Sequence, residues 1–112
     1  MLSKALKSRI VAHSRPFSSY LVTTPIFYVN ANPHIGHLYS VTLAEGIANV
    51  LRMQGKKAYF MTGTDEHGLK IQQMAQSQGL TPQKLTNKQS QVFRDLFSLS
   101  KIQYDVFIRT QE

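Results

Sequence analysis

The stretch Pro33-His-Ile-Gly-His37 lies between an apolar, β-branched segment, residues 20–28, and a helical pattern over residues 38–54. A continuous apolar segment of this kind is typical of a buried parallel strand. Where a strand leads into a helix, free backbone N–H groups and the positive end of the helix dipole bind anions. Gly36 allows close backbone approach, and two imidazoles three residues apart share one side of the first turn. The stretch therefore predicts a phosphate-handling site.

The pattern after this helix predicts a second strand and a shared crevice. Residues 58–62 are again apolar, and strand, helix and strand within about 45 residues make one right-handed βαβ unit with parallel strands. Polar clusters follow both strands, at residues 30–37 and 63–68. Ligands bind at the carboxyl ends of strands in an open α/β sheet, so we expect both clusters to face one crevice.

Further along, the chain predicts two helices and another extended segment. The first helix is expected over residues 69–78, and the second begins at Pro82 with Thr81 as N-cap. Residues 104–109 are expected to be extended. The helix over residues 38–54 is apolar nearly all round, so we expect it to be buried between the sheet and further protein. The predicted fold class is α/β with a parallel sheet.

Composition limits the class of protein. A chain of 112 residues holds at most one domain. It has no cysteine, which excludes disulfides and thiolate metal sites in this segment. No apolar run approaches the ~20 residues that span a bilayer. The net charge is +7, but residues 1–17 carry four basic residues and no acid, which leaves +3 for the rest. That charge is compatible with phosphate ligands or nucleic acid without demonstrating either.

Residues 1–17 have the composition of an organellar transit peptide. They are basic, contain serines and lack the continuous apolar core of a secretory signal. Arg15-Pro-Phe17 followed by two serines predicts cleavage after Phe17 and import into the mitochondrial matrix. A disordered basic tail or a surface helix is the alternative.

His34 and His37 admit three interpretations. His-x-x-His spacing occurs in metal sites, but zinc needs a third strong ligand, so we predict no metal site within this chain. A structural pair, capping the helix or buried in the core, is the second. Phosphate contact fits the Pro-His-x-Gly-His pattern best, because imidazoles donate hydrogen bonds to oxygens that gain negative charge during phosphoryl transfer.

The second polar cluster supplies two adjacent carboxylates, Asp65 and Glu66, which point differently and do not suit a paired acid/base site. A carboxylate at a strand end suits a cationic group such as an amino acid's ammonium. For Asp65 the alternatives are a solvated loop charge or an N-cap. His67 is expected to cap or to support a neighbour. Phe27 is expected in the core, and Tyr28 lies where an aromatic ring packs on an apolar ligand side chain.

Three stretches together resemble the methionyl-tRNA synthetases of bacterial and organellar type. They are Thr23-Thr-Pro-Ile-Phe-Tyr-Val-Asn-Ala-Asn-Pro-His-Ile-Gly-His37, Thr62-Gly-Thr-Asp-Glu-His-Gly68 and Tyr104-Asp-Val-Phe-Ile-Arg-Thr110, and the resemblance runs from about Tyr20 to Glu112. The His-Ile-Gly-His signature alone indicates only class I synthetases and related nucleotidylyltransferases. The resemblance is narrowed to the methionine enzymes by two further stretches, Tyr-Val-Asn-x-x-Pro and Gly-Thr-Asp-Glu-His-Gly.

The resemblance implies a Rossmann-like catalytic domain that makes methionyl-adenylate from methionine and ATP with bound Mg²⁺, then passes the methionyl group to tRNA(Met). It implies that His34 and His37 contact the ATP phosphates and stabilise the adenylation transition state. Gly36 would leave room for the nucleotide, and Asn30 would help to position the phosphates.

The resemblance also implies a methionine site in which Asp65 holds the ammonium and Ile26 and Tyr28 line the pocket. The family's Lys-Met-Ser-Lys-Ser-type loop, connective insertion, remaining pocket wall and anticodon-binding domain are not in this sequence. We therefore expect residues 18–112 to be the N-terminal part of the catalytic domain, marginally folded and inactive alone. The alternatives are a truncated non-catalytic product and a small nucleotidylyltransferase with the same phosphate signature.

Overall fold

The computed structural model describes residues 19–111. In this part of the chain the elements follow in the order β1 (Tyr20–Thr23), β2 (Phe27–Tyr28), α1 (Ile35–Met53), β3 (Ala58–Asp65), α2 (Leu69–Ser77), α3 (Pro82–Leu99) and β4 (Val106–Arg109). The predicted α/β fold class with a parallel sheet is confirmed. The predicted transit peptide, residues 1–17, lies outside the described residues.

β3 is the central strand, and every strand paired with it runs parallel to it. Met61 pairs with Thr23 of β1 and with Val106 of β4, and Thr64 likewise pairs with both β2 and β4. A strand residue has one partner on each side, so β1 and β2 follow one another along one edge of β3. β4 occupies the opposite edge. The carboxyl ends of β2, β3 and β4 therefore meet at one end of the sheet.

Three predicted element boundaries were wrong. The strand expected over residues 20–28 is two strands, because Pro25 cannot donate to the ladder and the register against β3 shifts by one residue between β1 and β2. The loop expected from residue 63 is strand as far as Asp65, since partners on both sides supply hydrogen bonds. α1 begins at Ile35, three residues before the predicted start, because His34 caps it.

The core lies between the sheet and the helices. Its fully or nearly fully buried members are Phe27, Val29, Val41, Ala44, Ala48, Phe60, Ile71, Ala75, Leu85, Phe93, Phe97 and Ile102. Thr81 accepts a hydrogen bond from the amide of Lys84, and Pro82 begins α3, so that predicted helix start is confirmed. Within the described residues, no helix is long and apolar enough to cross a membrane.

The two sides of α1 differ in their surroundings. One side turns three small or branched residues, Val41, Ala44 and Ala48, into the core. The opposite side carries a row of exposed apolar residues, Tyr39, Leu43, Ile47, Val50 and Met53. A groove of about 580 Å³ runs along this exposed side. The prediction that α1 packs on the sheet is confirmed, and burial of its outer side by further protein stays a prediction.

Candidate active site

His34 and His37 form the N-terminal cap of α1. His34 is the N-cap residue, and its Nδ1 accepts a hydrogen bond from the amide of Gly36 at 3.1 Å. In return, the backbone amide of His34 donates to Nδ1 of His37 at 3.0 Å. This is a capping box in which imidazoles replace the usual hydroxyl and carboxylate side chains. The two histidines therefore cap α1, and their contact with phosphate stays a prediction.

The cap also assigns the ring protons. Because Nδ1 of each ring accepts a hydrogen bond, the proton of each neutral imidazole is on Nε2. The ring centroids of His34 and His37 are 3.9 Å apart, so the two Nε2–H donors belong to one compact unit. Partial burial, and secondarily the neighbouring His34, lower the pKa of His37 below its ordinary value. The pair is therefore suited to donate hydrogen bonds to an anion through Nε2 of each ring.

Aromatic packing orients the second imidazole. The ring of His37 meets Phe27 of β2 edge-on, with centroids 5.1 Å apart, and Phe93 of α3 at 5.2 Å. Phe27 is buried, as predicted. At Gly36, an added Cβ would lie only 2.9 Å from Cε1 of His34. Glycine at that position thus lets the His34 ring fold back over the first turn of α1.

Tyr28 and Asp65 lie side by side at the carboxyl ends of two neighbouring strands. They are register partners in β2 and β3. Gly68 has φ +124°, and an added Cβ there would lie 2.7 Å from the Tyr28 hydroxyl. Gly68, not Asp65, is the N-cap residue of α2, so the capping alternative for Asp65 was wrong. The Asp65 carboxylate is half-buried at the strand end, where a cationic ligand can reach it.

The strand β2 connects the two clusters. Phe27 touches His37, and the next residue along the strand, Tyr28, is paired with Asp65. The fold thus brings both predicted polar clusters to the end of β2, as expected for strands that end at a common sheet edge. Ile26 lies in the break between β1 and β2 with 44% of its surface exposed, and Asn30 lies half-buried in the turn after β2. The groove along the outer side of α1 contains none of these residues.

The Glu66 side chain is buried, in contrast to that of the adjacent Asp65. Only 1% of it is exposed, and both its carboxylate oxygens accept hydrogen bonds from Arg109, at 2.7 Å from Nε and 2.8 Å from Nη2. The hydroxyl of Thr64 donates to the same carboxylate at 2.8 Å. The sequence predicted no site role for Glu66 or for Arg109. The sequence held no local signal for this contact, because it depends on the pairing of β4 with β3, which places Arg109 beside Thr64, two residues before Glu66.

A metal-binding role for the histidines has no support in the described residues. Within residues 19–111, no group of three His, Cys, Asp or Glu side chains could hold a metal ion. His67 also has another partner, since its Nε2 donates to the backbone carbonyl of Thr110 at 3.0 Å. His34, His37 and His67 each take part in a hydrogen bond within the described residues.

Comparison with known proteins bears on the family of the chain. The family "tRNA synthetases class I (M)" matches residues 20–112. A methionine–tRNA ligase of Mesorhizobium japonicum is 48% identical over 93 residues, which cover 83% of this chain and 18% of that protein. A mitochondrial methionine–tRNA ligase of Takifugu rubripes is 50% identical over 94 residues, covering 84% of this chain and 16% of the relative.

A solved structure extends the agreement to three dimensions. The methionyl-tRNA synthetase of Mycobacterium tuberculosis in complex with methionyl-adenylate superposes with a TM-score of 0.82 at 41% identity, covering 85% of this chain and 19% of that one. The chain therefore spans less than a fifth of the length of these relatives. Sequence motifs, sheet topology and superposition agree, and the chain belongs to the methionyl branch of the class I tRNA synthetases.

Proposed function

We propose that this chain supplies the first part of the amino-acid activation site of a methionine–tRNA ligase. In the reaction, a carboxylate oxygen of methionine attacks the α-phosphorus of MgATP, and pyrophosphate leaves as methionyl-adenylate forms. The methionyl group then passes to tRNA(Met). One observation carries the proposal: consecutive residues of β2 contact an imidazole at a helix N-terminus, through Phe27, and pair with a strand-end carboxylate, through Tyr28. The related structure contains methionyl-adenylate, which supports this assignment.

The imidazole pair is the proposed phosphate site. The Nε2–H groups of His34 and His37 donate to phosphate oxygens as negative charge develops on them, and binding that charge more tightly than ground-state charge accelerates the step. The N-terminus of α1 adds backbone dipoles of the same sign. Gly36 leaves room for the nucleotide, and Asn30 positions its phosphates. Mg²⁺ arrives with ATP as part of the substrate.

Asp65 and its neighbours form the proposed methionine site. The hydrogen bonds that Asp65 accepts in the described part of the chain use Oδ1, so Oδ2 is available to the ammonium group of methionine. Tyr28 and Ile26 provide apolar surface for the thioether side chain. Since Ile26 is 44% exposed, the remaining wall must come from other parts of a complete enzyme.

The proposed setting is mitochondrial translation. The Takifugu rubripes relative carries the name of a mitochondrial enzyme, and residues 1–17 have transit-peptide composition. Expression of the chain with a C-terminal fluorescent protein tests this setting, with deletion of residues 1–17 as the control. We expect signal in the matrix for the whole chain only. Matrix signal that survives the deletion contradicts the assignment to that segment.

A chimera tests the catalytic proposal. Residues 20–112 replace the matched segment of the Mesorhizobium japonicum ligase, and methionine-dependent ATP–pyrophosphate exchange is measured. We expect exchange in the chimera and none from residues 18–112 alone. His34→Asn keeps the cap acceptor but removes the Nε2–H donor, so the exchange rate should fall roughly 10²–10³-fold without loss of stability. A folded chimera without methionine dependence, or an unaffected His34→Asn variant, contradicts the proposal.

A further inference from the structure

We infer that Thr110, which follows β4, is a positioning residue that holds the Asp65 carboxylate for amino-acid binding, with Arg109 as its anchor. Neither residue belongs to the phosphate site or to the proposed pocket wall. The inference rests on the proposed function, because it deepens the role given there to Asp65. It is carried by the hydrogen bonds that join the end of β4 to the turn after β3.

Thr110 forms a hydrogen bond with each residue from Thr64 to His67. Its amide donates to the carbonyl of Thr64 at 3.2 Å, and its hydroxyl accepts from the amide of Glu66 at 2.9 Å. The same hydroxyl lies 3.4 Å from Oδ1 of Asp65 and donates to it. Its carbonyl accepts from Nε2 of His67 at 3.0 Å. One residue thus holds four consecutive residues, and the carboxylate is among the groups held.

The direction of the hydroxyl bond follows from proton count. A threonine hydroxyl has one proton and accepts through its lone pairs. Because the amide of Glu66 can only donate, the Thr110 oxygen accepts there, and its single proton is left for Asp65. The amide of His67 reaches the same Oδ1 at 3.4 Å. Oδ1 is therefore turned toward the protein, and Oδ2 is the oxygen presented to a ligand.

The buried ion pair keeps this arrangement from shifting. Glu66 is 1% exposed and bound through both oxygens to Arg109, the residue before Thr110. Arg109 also donates to Oδ1 of Asn87 on α3. A buried, doubly hydrogen-bonded pair is strongly destabilised when one partner moves away. The backbone on each side of the Thr110–Asp65 contact is thus tied to the core, which pre-organises the carboxylate before substrate arrives.

The test uses the chimera with Thr110→Val, which keeps side-chain volume and removes the hydroxyl. We expect the KM for methionine to rise about tenfold, the loss typical of one hydrogen bond to a charged group, with KM for ATP and kcat little changed. Inhibition by 4-(methylthio)butanoate, a methionine analogue without the ammonium group, should be unchanged. Thr110→Ser restores the hydroxyl and should restore the KM.

Thr86→Val is the matched control. Thr86 is fully buried, whereas Thr110 is half-buried, and the hydroxyl of Thr86 donates to the carbonyl of Gln83 and to Gln111 rather than to the Asp65 carboxylate. We expect Thr86→Val to lower thermal stability and leave the KM for methionine unchanged. The positioning role is overturned if Thr110→Val changes only stability, or if it weakens the binding of methionine and of the analogue without the ammonium group equally. If the parent chimera shows no methionine-dependent exchange, the proposed function itself is contradicted, and so is this inference, which rests on it.

Discussion

His34 accepts from the amide of Gly36 and His37 accepts from the amide of His34, each through Nδ1, with ring centroids 3.9 Å apart, and this leaves both Nε2–H groups for a ligand. The structural and the phosphate-binding interpretations of this pair are therefore compatible, because each ring uses one nitrogen for the cap and keeps the other. Protonation of Nδ1 would turn an acceptor into a donor facing an N–H group. The cap and the donor geometry thus depend on the same protonation state.

The first prediction concerns pH. The pKa of His37 is lower in the folded chain than its usual value of about 6.5, so between those two values the unfolded chain binds more protons than the folded one. Folding stability contributed by His37 is therefore complete above about pH 6.5 and decreases as pH falls toward the lowered pKa. We expect a lower Tm for the chimera at pH 5.5 than at pH 7.5.

The control for this pH effect is His37→Gln, which keeps a side-chain acceptor at the same position of the capping box but does not titrate. The chimera with this change should lose less Tm between pH 7.5 and pH 5.5 than the parent chimera. An identical loss in both proteins would show that the acid sensitivity arises elsewhere.

The second prediction separates the cap from the chemistry at His34. His34→Ala removes the cap acceptor and should lower the free energy of unfolding of the chimera by about 1 kcal/mol. His34→Asn supplies another acceptor and should be nearly neutral for stability. Urea unfolding measures both changes. Equal stability of the two variants would argue that the Nδ1 contact with Gly36 does not stabilise α1.

The third prediction concerns Gly68. Its φ of +124° and ψ of +162° lie in a region essentially restricted to glycine, and an added Cβ would strike the Tyr28 hydroxyl. Gly68→Ala should therefore destabilise the chimera by about 3 kcal/mol. Gly79→Ala is the matched control, because Gly79 also has a positive φ but nothing within 4 Å of the added Cβ. Gly79→Ala should lower the free energy of unfolding by about 1 kcal/mol. Similar losses would contradict a close Tyr28 contact.

The fourth prediction compares two ion pairs. Glu66→Gln leaves the Arg109 charge without its buried carboxylate partner and should destabilise the chimera by about 3 kcal/mol. The pair of Arg52 with Asp105 is the control, because its side chains are 32% and 39% exposed. Arg52→Gln should cost at most about 1 kcal/mol. Thermal or urea unfolding measures both, and a larger loss for Arg52→Gln would contradict this ranking.

Local interactions explain what could be predicted from sequence. Apolar runs predicted the parallel strands, and Thr81-Pro82 predicted the start of α3, because strand burial and helix capping depend on neighbouring residues. Long-range contacts set the buried side of α3. Phe93 and Phe97 are both fully buried, and Phe27 and Tyr104 pack against Phe97. Those contacts join distant parts of the chain, and helical periodicity alone does not include them.

The sequence by itself determined the βαβ unit, the identity of the imidazole pair and its place at a helix start, since all of these depend on short-range spacing. Only the tertiary structure decided how the two adjacent carboxylates differ. Asp65 is half-buried at the end of β3, and Glu66 is buried against Arg109, 43 residues away. That outcome depends on β4 pairing with the far edge of β3, a long-range contact whose burial and charge neutralisation cannot be read from either carboxylate's neighbours.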